Sequence, residues 1–294
     1  MKIIDTQDVM AIFPFLKGRW GRICADFIMR VCSINKINYV YDHSSAYSGS
    51  EFASRLLNDF GINYSIGNPG RLAFLPEGSF ITISNHPYGG MDGIILVDLL
   101  ARIRSDYKLM VNSMLSMVKT MNENFISVNP TGNKKTGITG KNIKAIRETL
   151  MHLQNGHPVG FFPSGAVSDF SLKDLYVRDR QWQNNILNLI RTVKVPILPI
   201  RFFDANSSFF YFLGVINWKI RSFRMPSELF NKRSKKTRIG IGNIISVQEQ
   251  EQFPDLQSLG IFLRKAVYEM PQPVSFVPRS FFNLNEKHSE IIPA

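Results

Sequence analysis

The chain has 294 residues, 44% of them hydrophobic, and a formal net charge of +12 at pH 7. The length suits one large α/β domain or two small ones, and the apolar content excludes an intrinsically disordered chain. The charge implies an anionic partner: nucleic acid, an anionic membrane surface or an acidic carrier protein. No nucleic-acid-binding signature accompanies the basic residues, so we expect no nucleic acid among the partners.

The hydrophobic residues do not form a predicted membrane span. No apolar run reaches the roughly 18–20 residues that a spanning helix needs. The N-terminus carries Asp5 and Asp8 and lacks the apolar core of a secretory signal. Cys24 and Cys32 lie too far apart along a helical pattern to form a disulfide, which favours a reducing cytoplasm.

The first predicted element is a basic amphipathic stretch over residues 7–32, interrupted at Pro14. Its apolar and aromatic side chains are mixed with cations, namely Lys17, Arg19, Arg22 and Arg30. Such a stretch is typical of a membrane interface, where rings lie among headgroups and cations contact lipid phosphates. A core-packing helix with a solvated basic face is the alternative. We assign residues 1–74 to an N-terminal helical, membrane-interfacial segment.

From residue 80 onward, short apolar runs alternate with helical patterns. The predicted strands are 80–84, 108–112, 125–128, 158–162, 197–203, 209–213 and 237–245. The predicted helices are 92–104, 142–154, 182–192 and 256–268. This alternation predicts an α/β fold, a mainly parallel sheet flanked by helices, over residues 75–270. Four prolines predict an irregular tail over residues 271–294.

Residues 84–93, SNHPYGGMDG, form the first segment that indicates chemistry. His86 follows a predicted strand, and ligands of open α/β sheets bind beyond the carboxyl ends of strands. A neutral imidazole can take a proton from a hydroxyl, and a carboxylate on its other nitrogen fixes the tautomer. Asp92 is near enough to be that carboxylate, with Gly89 and Gly90 permitting the turn. A turn histidine and a helix-capping Asp92 are the alternative.

Two further segments carry proline turns. Residues 160–168, GFFPSGAVS, lead a strand into a turn whose N–H groups could face a developing oxyanion. Ser164 is not in a Gly-x-Ser-x-Gly elbow, because Phe162 replaces the first glycine. Residues 195–211, VPILPIRFFDANSSFFY, place two prolines around an apolar strand and then an aromatic run. An ordinary strand-ending turn and a pair of core and edge strands are the alternatives.

In this order, the three segments resemble the glycerolipid acyltransferase superfamily, whose type members acylate lysophosphatidic acid. The matching motifs are Asn85-His86 with Asp92, Phe162-Pro163-Ser164-Gly165, and Val195-Pro196 with Pro199. The resemblance covers residues 75–250. It is most similar to the hemolysin-like branch, which includes O-acyltransferases of ornithine and glycine lipids and shares the Asp179–Trp182 and Asn206–Tyr211 segments.

The resemblance implies an O-acyltransferase of lipid biosynthesis that moves a fatty acyl chain from an acyl thioester to a lyso-lipid hydroxyl. His86 is then the general base and Asp92 its orienting carboxylate. Neither a metal nor a cofactor is implied, and the acyl donor is acyl-CoA or acyl carrier protein. We expect a peripheral position on the cytoplasmic face of the inner membrane. The predicted substrate-binding residues are Asn85, Gly89, Gly90, Asn129, Phe162, Pro163, Ser164, Gly165 and Arg201.

Departures from the family pattern bear on the acceptor. Ser164 replaces a glutamate of the family, and Asn129 stands near the position of an arginine. Small neutral groups favour a head with less charge than a phosphate monoester, such as the carboxylate of a glycine or ornithine lipid. Arg201 or Lys134 would meet that carboxylate. Lysophosphatidic acid remains the alternative acceptor, since Arg201, Lys134 or Lys135 would also replace the missing arginine.

Other features leave further alternatives open. Five residues separate His86 from Asp92, one more than in the family, which makes Asp92 the less secure of the two. Residues 231–238, NKRSKKTR, are a basic cluster that predicts donor or membrane docking, with a solvated loop as the alternative. A serine hydrolase using Ser164 with His86, and a non-catalytic lipid-binding protein, are the rival functions.

Overall fold

The computed structural model describes residues 4–12, 16, 18–112, 115, 118–129, 140–233 and 235–281. The helices are α1 (Thr6–Ile12), α2 (Gly18–Val31), α3 (Ile34–Ser44), α4 (Gly49–Asp59), α5 (Gly90–Ile103), α6 (Gly140–Gln154), α7 (Asn184–Val193), α8 (Ser208–Ile216), α9 (Trp218–Asn231), α10 (Val247–Glu251) and α11 (Leu256–Tyr268). The strands are β1 (Tyr64–Gly67), β2 (Ile81–Ser84), β3 (Lys108–Asn112), β4 (Phe125–Val128), β5 (Val159–Phe161), β6 (Asp169–Ser171), β7 (Tyr176–Arg178), β8 (Ile197–Phe202), β9 (Thr237–Ile241) and β10 (Phe276–Pro278).

Eight strands of the described chain form one sheet in the order β10-β1-β9-β8-β2-β5-β3-β4. The pairings from β8 through β2, β5 and β3 to β4 are parallel, and β1 is parallel to β9. The pairs β8–β9 and β1–β10 are antiparallel. β6 and β7 form a separate antiparallel hairpin. The predicted α/β fold with a mainly parallel sheet is therefore confirmed.

Helices cover both faces of this sheet. One buried cluster joins α4 and α5 to the sheet and includes Phe52, Leu57 and Leu96, which are fully buried. The other joins α7 and α11 to the opposite face and includes Ile190 and Leu263. Because apolar strands are sandwiched in this way, they appear in the sequence as continuous apolar runs rather than alternating ones.

One predicted strand is wrong. Residues 209–213 belong to α8, although an aromatic run of this kind has high β-propensity. The helix begins there because Ser207 caps it, its hydroxyl accepting a hydrogen bond from the backbone N–H of Phe210. The carboxylate of Glu228 holds this cap in turn, by accepting from the backbone N–H and the hydroxyl of Ser207.

The structure also differs from the expected division into segments. β1 lies within residues 1–74 and β10 within residues 271–294, yet both are strands of the central sheet. Only the first part of the chain packs apart from it, around the small cluster Val9, Leu16, Ala25, Met29 and Ile34. The domain that carries the sheet therefore begins before residue 64 and extends through residue 278.

A buried carboxylate ties the two ends of the domain to α5. Asp98 accepts hydrogen bonds from the hydroxyl of Tyr64 at 2.8 Å and from the guanidinium of Arg279 at 2.9 Å. The guanidinium of Arg102 contacts its other oxygen at 3.0 Å. Burial and the neighbouring carboxylate raise the pKa of Tyr64 well above its usual value, so the phenol is a hydrogen-bond donor at neutral pH.

We expect Asp98→Ala to lower the free energy of unfolding by about 3–5 kcal/mol, because it leaves the guanidinium of Arg279 buried without its carboxylate. Urea denaturation measures the change. Glu251→Ala is the matched control, since it removes a pair with Lys194 whose side chains are 54% and 65% exposed, and it should cost less than about 1 kcal/mol. Equal losses in the two variants would contradict the assignment.

Candidate active site

The predicted general base lies where β2 ends. Asn85, the next residue, extends the sheet through its side chain: its amide nitrogen donates to the carbonyl of Phe202 at 2.9 Å, and its oxygen accepts from the N–H of Phe202 at 2.8 Å. Both polar groups are therefore used between β2 and β8. Substrate binding by Asn85 stays a prediction: its polar atoms bond within the sheet, while the residue also lines a neighbouring pocket.

His86 and Asp92 are brought together despite their unusual spacing. The Nδ1 atom of His86 lies 2.9 Å from Oδ2 of Asp92, whose side chain is fully buried. The same oxygen accepts from the backbone N–H groups of Tyr88 at 2.9 Å and Gly89 at 3.1 Å. Gly89 has φ +82°, a left-handed conformation that suits glycine, so the turn absorbs the additional residue. The catalytic roles themselves remain predictions.

The contact with Asp92 leaves Nε2 of His86 for a substrate hydroxyl. The imidazole is stacked on the ring of Phe162, with centroids 4.0 Å apart and planes inclined by 25°, so its orientation is fixed on two sides. Burial raises the pKa of Asp92, while His86 and the two backbone N–H groups oppose that rise. The pair has the arrangement of a general base held by a buried carboxylate.

The backbone of His86 is held by a second buried carboxylate, Asp179. Its Oδ1 accepts from the N–H of His86 at 3.1 Å and from the hydroxyl of Ser168 at 2.6 Å. The N–H of Ser168 donates to the carbonyl of His86 at 2.9 Å. Trp182 and Tyr268 contact Asp179 from the other side. The Asp-x-x-Trp pattern was visible in the sequence, but this positioning role was not.

The next carbonyl along the turn, that of Pro87, is held by the segment that begins α8. It accepts from the hydroxyl of Tyr211 at 2.9 Å and from the side-chain amide of Asn206 at 3.1 Å. Met225 of α9 packs against the same turn. A Cβ atom added at Gly89 would lie only 2.7 Å from the sulfur of Met225. Gly89 is therefore required by contact as well as by backbone conformation.

The polar groups of the Phe162–Gly165 turn form hydrogen bonds within the turn and with Gln183. The N–H of Gly165 donates to the carbonyl of Phe162 at 2.9 Å, and the hydroxyl of Ser164 donates to the carbonyl of Ala166 at 2.8 Å. Gln183 crosses the turn, with its N–H on the carbonyl of Pro163 and its side-chain amide on that of Ser164. Ser164 is buried and its hydroxyl is directed at the backbone, which disfavours the serine hydrolase.

Asn129 and Gly90 were predicted to bind substrate, and the structure places them in different parts of the fold. Asn129 follows β4 at the edge of the sheet, three strands from β2, and its N–H donates to the side chain of Asn142. It is not brought to His86. Lys134 and Lys135 lie outside the described residues. Gly90 is the first residue of α5, directly behind the turn.

Arg201 faces a cationic pocket beside the His86 turn. The pocket has a volume of about 510 Å³ and is lined on one side by Asn85 and Pro87. Its cations, Arg178, Arg201, Arg264 and Lys265, outnumber its two carboxylates, Asp204 and Glu269. Among the described residues no carboxylate pairs with Arg201, whose guanidinium donates to the carbonyl of Met270 at 2.9 Å. Burial lowers the pKa of Arg201, because it disfavours the charged form of the guanidinium. A bound anion would stabilise that charged form.

Only some side chains of the basic cluster 231–238 are exposed. Lys232 is 2% exposed, lies 4.1 Å from the ring centroid of Tyr88 and donates to the carbonyl of Ala205 at 2.5 Å. Burial lowers its pKa to about 8. Arg238 is paired with Asp204, whereas Arg233, Lys235 and Lys236 are exposed. Sequence pattern gives no sign that Lys232 is buried, since its neighbours in the chain are cations.

A buried carboxylate, an imidazole with one open nitrogen and a cationic pocket lie at the same sheet edge, an arrangement that suits group transfer by a general base. The chain belongs to the acyltransferase family: the family model described as "Acyltransferase" matches residues 13–275. It is thus an acyltransferase of the predicted superfamily, and the resemblance given by the motifs is confirmed.

The chain is similar to curated proteins and to solved structures, of which three are described. The chain is 23% identical to a lyso-glycine lipid O-acyltransferase of Bacteroides thetaiotaomicron over 257 residues, which cover 85% of this chain and 90% of that protein. It is 22% identical to a protein of the same name from Phocaeicola vulgatus over 277 residues, 91% and 95% of the two chains. The crystal structure of the 1-acyl-sn-glycerophosphate acyltransferase PlsC of Thermotoga maritima matches with a TM-score of 0.49 and 14% identity, over 84% of this chain and 87% of that one.

We expect His86→Ala to reduce acyl transfer by about 10²–10⁴-fold, the usual contribution of a general base, with the fold unchanged. Asp92→Asn should also impair kcat strongly, because the imidazole loses the carboxylate that fixes its tautomer. Steady-state kinetics and circular dichroism of the purified variants measure the two effects. Full activity of folded His86→Ala would exclude this mechanism.

Lys232 should give a defined pH dependence of stability. Its pKa falls from 10.5 to about 8 on folding, so between these values the unfolded chain binds a proton that the folded chain does not. The contribution of Lys232 to the free energy of unfolding therefore rises with pH. Relative to Lys232→Met, the unfolding free energy of the wild type should increase by about 3 kcal/mol from pH 7 to pH 10.5. Urea denaturation at each pH measures it, with Lys236→Met as control. A constant difference would refute this assignment.

Proposed function

We propose that this acyltransferase moves a fatty acyl chain from an acyl thioester to the hydroxyl of a lyso-amino-acid lipid, such as an N-(3-hydroxyacyl) glycine or ornithine. The observation that carries the proposal is the 2.9 Å contact of His86 with buried Asp92, beside a pocket with an arginine lacking a carboxylate among the described residues. The names of the two curated relatives support the same acceptor class.

The proposed reaction proceeds by general-base catalysis. Nε2 of His86 removes the proton of the acceptor hydroxyl as its oxygen attacks the thioester carbonyl, which forms a tetrahedral oxyanion. The carbon–sulfur bond then breaks, and the imidazolium returns its proton to the leaving thiolate. Asp92 stabilises the imidazolium between these steps. The ester and the free thiol are the products, and the base is regenerated.

The acceptor head is proposed to bind at Arg201. A guanidinium pairs with a carboxylate through two parallel hydrogen bonds, and Arg201 is half-buried, which strengthens such a pair. Lys265 and Arg264 line the same pocket and add positive charge. Ser164 stands where the lysophosphatidic acid enzymes that this sequence resembles have an acidic residue. This substitution favours one carboxylate over a phosphate monoester.

The test is a competition between lysophosphatidic acid and an N-(3-hydroxyacyl) glycine with one acyl donor. We expect the glycine lipid to have the higher kcat/KM. Arg201→Met should lower kcat/KM for it by about 10–100-fold, because a hydrogen bond to a charged group contributes about 1.5–3 kcal/mol. The glycinamide analogue, which has no carboxylate, is the matched control and should be much less affected. A tenfold preference for lysophosphatidic acid, about 1.4 kcal/mol, would refute the acceptor.

The acyl donor is proposed to dock on the exposed part of the basic cluster. A second cavity, of about 520 Å³, is lined by Arg233, Lys235, Lys236 and Arg238 and, within the described part of the chain, by no acidic residue. It lies at the active-site edge of the sheet, because β9 begins opposite the end of antiparallel β8. Acyl-CoA and acyl carrier protein are both anionic, so either would be attracted there.

We also propose a peripheral position on the cytoplasmic face of the inner membrane. Within the described ranges, no helix has the length and apolar character needed to cross a bilayer. α2 buries Gly21, Ala25 and Met29 on one side. Its other side exposes apolar residues, namely Trp20, Ile23, Phe27 and Val31. An exposed apolar stripe beside arginines favours the membrane-interfacial alternative over simple core packing.

A further inference from the structure

α8 and α9 form a helical hairpin whose outer surface is apolar. The exposed apolar residues are Phe209, Phe212, Val215 and Ile216 of α8 and Trp218 and Ile220 of α9, each between 46% and 60% exposed. Single exposed apolar side chains are ordinary on protein surfaces, but six within twelve residues of one hairpin indicate a partner. We call these six residues the hairpin face.

The spacing of the hairpin face indicates one side of a helix. Phe209, Phe212 and Ile216 are three and four residues apart, as neighbours on a helix surface are. The opposite side of α8 is apolar too, because Phe210 and Tyr211 are buried in the domain. The helix is therefore packed on one side and apolar on the other, which core packing alone does not require.

The composition of this segment indicates the partner. No acidic residue occurs between Asp204 and Glu228. Arg221 is buried and paired with Asp169, whereas Arg224 is partly exposed and its neighbour Glu228 is buried. The guanidinium of Arg224 lies 5.5 Å from the ring centroid of Phe209, at the border of the hairpin face. Exposed aromatic rings beside a partly exposed arginine, in a segment without acidic residues, match the interface of an anionic bilayer, where rings lie among headgroups.

The base of the hairpin is fixed to the catalytic turn. Tyr211 and Asn206 hold the carbonyl of Pro87, the residue after His86. Met225 of α9 packs against Gly89, and Glu228 of α9 holds Ser207 at the start of α8. Whatever the hairpin face binds is therefore kept at a constant position relative to His86.

We propose that the hairpin face lies in the headgroup and upper acyl region of an anionic bilayer, so that a lyso-lipid acceptor reaches His86 without leaving the membrane. This inference rests on the proposed function, since it assumes a lipid acceptor. It differs from the peripheral contact of α2, because it places a bilayer-binding surface on the elements that hold the active site.

Tryptophan fluorescence tests the location directly. The chain has three tryptophans, of which Trp182 is buried and Trp20 and Trp218 are exposed. In Trp20→Phe, vesicles of phosphatidylglycerol and phosphatidylcholine should shift the emission of Trp218 to shorter wavelength, and lipids brominated in the acyl chain should quench it. The double variant Trp20→Phe/Trp218→Phe should show neither effect. An unchanged spectrum of Trp20→Phe at vesicle concentrations that bind the protein would overturn the inference.

Kinetics test the consequence for catalysis. The triple variant Phe209→Ser/Phe212→Ser/Ile216→Ser should lose at least tenfold in kcat/KM for a long-chain acceptor presented in vesicles. Its rate with a short-chain, water-soluble acceptor should stay within twofold of the wild type. Phe74→Ser/Ile143→Ser/Met151→Ser, three exposed apolar residues elsewhere on the domain, is the matched control and should keep both rates.

The outcomes separate this inference from the proposed function. An equal loss on both acceptors would overturn the inference, because the hairpin would then act on the site and not on the bilayer. An unchanged vesicle rate in the triple variant would overturn it as well. A wild type that is inactive on every lyso-amino-acid lipid, while Trp218 still enters the bilayer, would refute the proposed acceptor and leave the hairpin surface standing.

Discussion

One oxygen atom organises the active site. Oδ2 of Asp92 lies 2.9 Å from Nδ1 of His86 and accepts from two backbone N–H groups of the turn between them. Removing a carboxylate from water is costly, and these three contacts are what offset the cost. The turn conformation, the glycine at 89 and the direction of the imidazole all depend on this one atom, because each of them is needed to bring a donor to it.

Three distant parts of the chain hold the residues on either side of the imidazole. Phe202 bonds Asn85, Asp179 bonds the N–H of His86, and Tyr211 bonds the carbonyl of Pro87. A base whose neighbours are fixed in this way needs little reorganisation when substrate arrives, which is how preorganised sites lower activation barriers. The same contacts give a structural role to residues 179–182 and 206–211, the two segments that accompany the three main motifs in the sequence.

The sequence allowed the parallel half of the sheet and the position of His86 at its carboxyl edge to be predicted, because buried strands such as 108–112 have continuous apolar runs and the run 80–84 ends two residues before His86. Features set by distant contacts were not predictable. Glu228 of another helix holds Ser207, the cap of α8, so residues 209–213 resembled a strand in the sequence alone. Lys232 is buried by its surroundings, whereas its neighbours in sequence suggest an exposed cluster. β1 and β10 lack a continuous apolar run, because Ser65 and Gly67 interrupt the first and Pro278 ends the second after two apolar residues.

The position of β1 has a consequence for synthesis of the protein. Its two neighbours in the sheet, β9 and β10, begin at residues 237 and 276, so β1 leaves the ribosome long before either partner exists. The nascent chain must keep the apolar residues of that strand away from other chains until the final segment emerges. Pairing over such a distance is slow, and strands that wait for it are prone to aggregate. Production of this enzyme should therefore depend on translation speed and on chaperones that shield the unpaired strand.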